Sequence, residues 1–117
     1  MFKIYAKYLS DSEIRTLCDD NNFIAKMIKV EIALAKVESE LGLIPSKAAK
    51  EIEMLSEQKI DIEKLTTSTL EHGIPVFGLL KQLKEVLSDT AKEYLHWGAT
   101  SQDIVDSAQI VVIKEVL

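Results

Sequence analysis

Apolar residues return every three or four positions along most of this chain, in stretches bounded by glycine, proline and short polar caps. A helix repeats about every 3.6 residues, so such spacing gathers the apolar side chains on one face of a helix and scatters them in a strand. From about residue 13 to 41 the series Ile24, Met27, Ile28, Leu34, Val37 and Leu41 leaves only a narrow polar face. A helix of that kind needs neighbours on more than one side. Ser12 offers a hydroxyl cap for a start near Glu13, and Asp19, Asp20, Asn21 and Asn22 read as a break or local cap.

GLIP, residues 42 to 45, stops this helix. Gly42 suits the positive φ of a helix C-cap, and Pro45 suits a turn or a first helical position. A second helix is predicted over Ser46 to Gln58, with Ala48, Ala49, Ile52 and Leu55 facing inward, and a short one near Asp61 to Glu71. Gly73 and Pro75 interrupt the pattern before a further helix from Phe77 to Glu93, carrying Leu79, Leu80, Leu83, Val86 and Leu87. No strand pattern and no repeat emerges, so the predicted class is all-alpha.

The final segment, with Ile104, Val105, Ala108, Ile110, Val111, Val112, Ile113, Val116 and Leu117, is apolar around nearly the whole helix circumference. Such a helix is expected to be buried on every side. It reaches Leu117 without a capping residue, which points to a piece of a longer chain. The predicted division is a helical domain over residues 1–95, then an active-site turn and the start of a central helical domain over residues 96–117.

The 117 residues suit one domain, and 47% hydrophobic with 28% charged residues is ordinary for a folded chain. The net charge of -5, with no basic cluster, argues against nucleic acid as a partner. Cys18 is the single cysteine and is read as a small buried hydrophobe. No metal spacing appears, no cofactor is implied, and neither a signal peptide nor a membrane-length apolar run is present. A reducing, cytoplasmic setting is expected.

HWGATSQD, residues 96 to 103, carries the chemistry. Thr100 and Asp103 have capping-box spacing, so a helix should begin here. Its free amides, with Thr100, Ser101 and Gln102 beside them, make a ready carboxylate or phosphate site, or else a purely local cap. His96, just before the turn, is either structural or a proton-transfer group. His72, before Gly73, is a weaker candidate with no evident partner. Trp97 reads as a packing residue; Asp103 and Asp106, three positions apart on one helical side, have the spacing of a paired-carboxylate site but are explained more simply as capping and packing acids. Glu31, among apolar positions, either meets a basic group from a segment outside this chain or reaches solvent.

HWGATSQDIVDSA, residues 96 to 108, resembles the first conserved region of the fumarase/aspartase superfamily, in the form seen in 3-carboxy-cis,cis-muconate cycloisomerases and adenylosuccinate lyases. VEIALAKVESELGLIP, residues 30 to 45, resembles the family's first long helix and its stop, and GIPVFGLLKQL, residues 73 to 83, resembles a segment of the cycloisomerase branch. The resemblance covers nearly the whole chain. It implies an all-alpha N-terminal domain leading into a central helical bundle, and an enzyme that forms or breaks a C–O or C–N bond beta to a carboxylate through an aci-carboxylate. Thr100 and Ser101 would hold a carboxylate of a di- or tricarboxylate substrate, and His96 would contact it and assist proton transfer. It further implies a homotetramer with shared active sites.

The family's general base is a serine on a later GSSxMPxKxNP loop, a string that does not occur in these residues. This piece alone is therefore expected to be inactive. Ile74 stands where the lyases carry a catalytic histidine and the cycloisomerases an asparagine, and Ser107 replaces a usual threonine. Lys7 and Tyr8 stand where the lyases carry an Arg-Tyr nucleotide-binding pair, and lysine lacks the arginine fork. The expected reading is a cycloisomerase-like enzyme. Its alternatives are adenylosuccinate lyase or a related C–N lyase releasing fumarate, and a non-catalytic helical interaction fragment.

Overall fold

The computed structural model describes residues 4–9 and 11–117. Every regular element among them is helical. A short α1 (Ala6–Leu9) and α2 (Ser12–Leu17) lead into α3 (Asp20–Glu40), and then come α4 (Ser46–Glu53) with a 3-10 turn at Met54–Glu57, α5 (Ile62–His72), α6 (Val76–Lys84), α7 (Asp89–Tyr94) and α8 (Ser101–Val116).

The longest of these, α3, has 21 residues and spans roughly 31 Å at 1.5 Å per residue. Asp19 caps it by accepting from the Asn22 N–H at 2.8 Å. Its end is a Schellman turn: Gly42 N–H donates to Ser39 O at 3.1 Å and Leu43 N–H to Glu38 O at 2.8 Å, with Gly42 at φ 75. As the broad apolar face requires, α3 has neighbours on several sides, with α8, α4 and the 3-10 turn all packing on it. Met27, Ile52, Val76, Leu79, Leu83 and Ile104 are the largest fully buried apolar side chains of the core this creates.

Several local expectations are corrected. Asp11, not Ser12, caps α2, because its carboxylate accepts from both the Glu13 and the Ile14 amides, at 2.8 and 3.3 Å. Beyond Glu53 the predicted second helix tightens into the 3-10 turn, and Leu55, three residues after Ile52, is buried there. The predicted helix over Phe77 to Glu93 is two helices. Ser88 caps α7, accepting from the Ala91 amide at 3.3 Å, while its own N–H and hydroxyl donate to Glu51 of α4 at 3.0 and 2.6 Å. Val37, Leu41 and Val86 are exposed, whereas Glu31 and Glu38 are buried. Cys18 is exposed rather than buried, because it forms the C-cap of α2 and not part of a packed face.

One side of α8 buries Ile104 and Ala108, but Ile110 and Ile113 are more than half exposed. Burial on every side is thus not achieved within this chain, where α3, α2 and α6 supply its main neighbours.

At the α5–α6 crossing a Cβ on Gly78 would lie 2.6 Å from Ser68 Oγ and 2.7 Å from Ser68 Cβ. Both distances are below van der Waals contact, and Ser68 Cβ cannot swing away without moving α5. Gly78→Ala should therefore destabilise the fold by about 1–3 kcal/mol despite alanine's better helix propensity. Urea unfolding checks this, and Ser68→Gly in the Gly78→Ala background should restore part of the loss.

Candidate active site

His96 closes the turn between α7 and α8 with a backbone φ of 64, the one positive value outside glycine among the described residues. Left-handed backbone on a residue with a side chain costs about 1–2 kcal/mol. Gly98, two residues on, takes a φ of 72, so the chain reverses through two left-handed positions in a three-residue span. Tyr94 and Trp97 stack as tilted rings 5.2 Å apart across the same turn, although Trp97 remains about half exposed.

The side chain of His96 is held by Glu31. His96 Nδ1 lies 2.6 Å from Glu31 Oε1 across 65 positions of sequence. Glu31 sits in the middle of α3 and is 1% exposed, so the carboxylate is inside the core and its partner comes from within this chain. Neither expectation for Glu31, a basic group from outside the chain or solvent, describes this. The signal was present: Ile24, Met27, Ile28 and Ala35 are buried on α3, and Glu31 falls in their register.

Burial pushes the Glu31 carboxyl above the ordinary carboxylate range, while the charge and hydrogen bond of His96 pull it down; Glu38 adds to the rise and Lys84 to the pull. Burial also raises Glu38. One oxygen on each, Glu31 Oε2 and Glu38 Oε1, is buried without a hydrogen-bond partner among the described residues. A buried carboxylate left without its hydrogen-bond partner costs more than about 1–3 kcal/mol, which outweighs the strain at His96 and explains how the turn keeps its shape.

Immediately after this turn, Thr100 and Asp103 form a capping box at the start of α8, in which the Thr100 N–H donates to Asp103 Oδ2 at 2.9 Å. The hydrogen bonds from Thr100, backbone first and then hydroxyl, hold Asp103 below the ordinary aspartate range, and His96 adds a smaller pull. The Ser101 and Gln102 amides have no acceptor one turn back within the helix. Ser101 is half-buried beside them. Gln102 donates its amide to Asp106 Oδ1 at 2.6 Å, so Asp106 partners Gln102 rather than joining Asp103 in a paired-carboxylate arrangement.

His96, Thr100, Ser101 and Gln102 therefore meet at one turn. His72 does not join them: it lies at the end of α5 against Phe77, ring centroids 4.2 Å apart, 3.9 Å from Glu71, in a separate cleft with Lys64, Thr67 and Lys81. Lys7 and Tyr8 stand exposed on α1. No group of residues able to hold a metal ion occurs among those described, and no helix there is long and apolar enough to cross a membrane.

No family model matches the chain. It is 42% identical to adenylosuccinate lyase of Methanocaldococcus jannaschii over 88% of this chain and 22% of that protein. It is 34% identical to 3-carboxy-cis,cis-muconate cycloisomerase of Acinetobacter baylyi over 100% of this chain and 27% of that protein. The crystal structure of a fumarate lyase from Mesorhizobium superposes with a TM-score of 0.86 at 36% identity, covering 91% of this chain and 25% of the other. The chain spans about a quarter of the length of the curated relatives it matches.

Because the folded state holds Asp103 ionised to lower pH than the unfolded chain does, its stabilising contribution is present above about pH 4 and is lost as pH falls through the lowered value. Asp103→Asn should lower the urea midpoint at pH 7, and the gap to wild type should close in strongly acidic buffer. A gap independent of pH would mean that the carboxylate charge is not what caps α8.

Proposed function

The chain has the fold of the fumarase/aspartase superfamily and is related to its 3-carboxy-cis,cis-muconate cycloisomerases and adenylosuccinate lyases; from that premise we propose that it supplies the carboxylate-binding turn of a lyase or cycloisomerase active site. The observation that carries this reading is the convergence of His96 with the α8 N-terminus, where Ser101 and Thr100 flank unpaired amides. Amides at a helix start and adjacent hydroxyls favour a bound carboxylate, and charge developing on its oxygens as a carbon-bound proton leaves would be stabilised there. His96 contacts the substrate and assists the proton transfer.

Within that class the proposed reaction is cycloisomerase-like, closing or opening a C–O bond beta to a carboxylate. The lysine at position 7 supports it over adenylosuccinate cleavage, since it lacks the arginine fork that the resemblance assigns to the lyase, whereas Ile74 departs from both branches. Gln102 remains a proposed substrate contact, one that must exchange its bond to Asp106 to serve. His72, Lys7 and Tyr8 stay minor candidates. A cytoplasmic homotetramer with shared sites accompanies the proposal, supported by the resemblance alone.

The test is made on the complete protein that contains these residues. It should lactonise 3-carboxy-cis,cis-muconate in preference to releasing fumarate from adenylosuccinate. Ser101→Ala and His96→Asn should lower turnover by roughly 10²- to 10⁴-fold with little change in melting temperature. Asparagine is the apt replacement, because it tolerates positive φ and keeps an amide nitrogen near the position of Nδ1. Turnover of neither compound, or equal loss of activity and folding in both variants, would reject the reading in favour of a structural turn.

A further inference from the structure

Glu31 is the least expected side chain in the molecule. An acid placed mid-helix in a core surrounded by Met27, Ile28 and Ala35 is expensive to bury and contributes less packing than a leucine would. Nothing in the architecture demands it, because α3 already has its caps and its apolar stripe. Among the described residues the acid has one hydrogen-bond partner: His96 Nδ1, 2.6 Å away.

We propose that Glu31 is the positioning residue of the active site, fixing the ring of His96 through Nδ1 so that Nε2 is the nitrogen that meets the substrate. This rests on the reading of His96 given above and assigns the proton it uses. In the resting ring, Nδ1 carries a hydrogen and donates it to the Glu31 carboxylate, which leaves the lone pair on Nε2. When Nε2 accepts a proton, the positive charge formed on the ring faces the carboxylate 2.6 Å from Nδ1. When Nε2 gives the proton up, the ring returns to its Nδ1–H form. Glu31 neither gains nor loses a proton in the cycle.

Three observations converge on this role. Glu31 is inaccessible, so it acts only through what it touches. The left-handed backbone at His96 aims the ring at α3, and the bond to Glu31 is long-range, so it fixes the turn against the body of the fold and not merely against itself. The same turn feeds directly into the capping box of α8, which places the ring and the helix amides in one rigid arrangement. The charged groups acting on the pair are Glu38 from α3 and Lys84 from α6 on Glu31, and Asp103 from α8 on His96. Two of the three are negative and one is positive, and Glu31 is the acid hydrogen-bonded to the ring.

The complete protein provides the test, with Glu31→Gln as the variant of unchanged shape. Its turnover should fall on the order of 10²-fold while KM changes little. Adding Glu31→Gln to His96→Asn should cost nothing further. Unchanged turnover in Glu31→Gln with His96→Asn still impaired would overturn the positioning role and spare the reading of His96; a neutral His96→Asn would overturn both. Nitrogen-15 NMR of the ring keeps the question open to disproof without any turnover: His96 should carry its hydrogen on Nδ1 in the wild type, and Glu31→Leu should shift it toward Nε2. A wild-type ring protonated only on Nε2 would refute the proposal.

Discussion

A carboxylate inside a hydrophobic core is the constraint around which this chain is arranged. The stripe of α3 that packs on its neighbours contains Glu31 and Glu38 among its buried residues, and neither can be desolvated without some compensation. For Glu31 the compensation is an imidazole delivered from 65 positions away. That one contact ties the longest helix to the turn before α8, and it dictates that the α7–α8 connection must pass directly over the middle of α3.

The connection obeys that demand at a local cost. His96 and Gly98 both occupy left-handed backbone, and only the second is a residue that does so freely. The strain at His96, about 1–2 kcal/mol, is smaller than the penalty of leaving a buried carboxylate without its partner. The balance favours the strained turn. Once the turn is set, Thr100 falls at the N-cap and Asp103 closes the box, so the direction of α8 follows from the same contact. Strained backbone, a buried carboxylate bonded to an imidazole and unpaired helix amides come together at one turn, a grouping typical of functional sites.

Much of this was legible in the chain itself, and the parts that were not share a cause. The all-helical class, the stop at Gly42, the interruption at Gly73 and Pro75 and the capping box at Thr100 are written in neighbouring residues, since period, cap and turn chemistry act over one or two turns. The same local grammar also signalled Ser88 and Asp89 as a helix start, but the apolar series through Leu87 concealed the break, and what fixes it is Glu51 on another helix. Asp11 displaced Ser12 as a cap because an ionised oxygen accepts two amides better than a hydroxyl does. Glu31 is the hardest case. Its register on α3 marked it as buried, yet only the fold could show that its partner is the histidine already singled out for chemistry.

That coincidence also separates what this part of the molecule can decide from what it cannot. On the proposed reading, helix amides, two hydroxyls and an oriented imidazole would recognise a carboxylate and handle a proton; they contain nothing that distinguishes a leaving oxygen from a leaving nitrogen. The residues at which the resemblance places that distinction, Lys7, Tyr8 and Ile74, lie elsewhere in the chain, and His72 faces a cleft of its own. Proteins named for different reactions can accordingly share this stretch at 34 to 42% identity. On the proposed reading, the carboxylate recognition common to the class would rest on the rigid unit of α3, the strained turn and the start of α8. Choice of substrate then falls to groups brought to the rim of that unit, where side chains can change without disturbing the buried pair that holds it together.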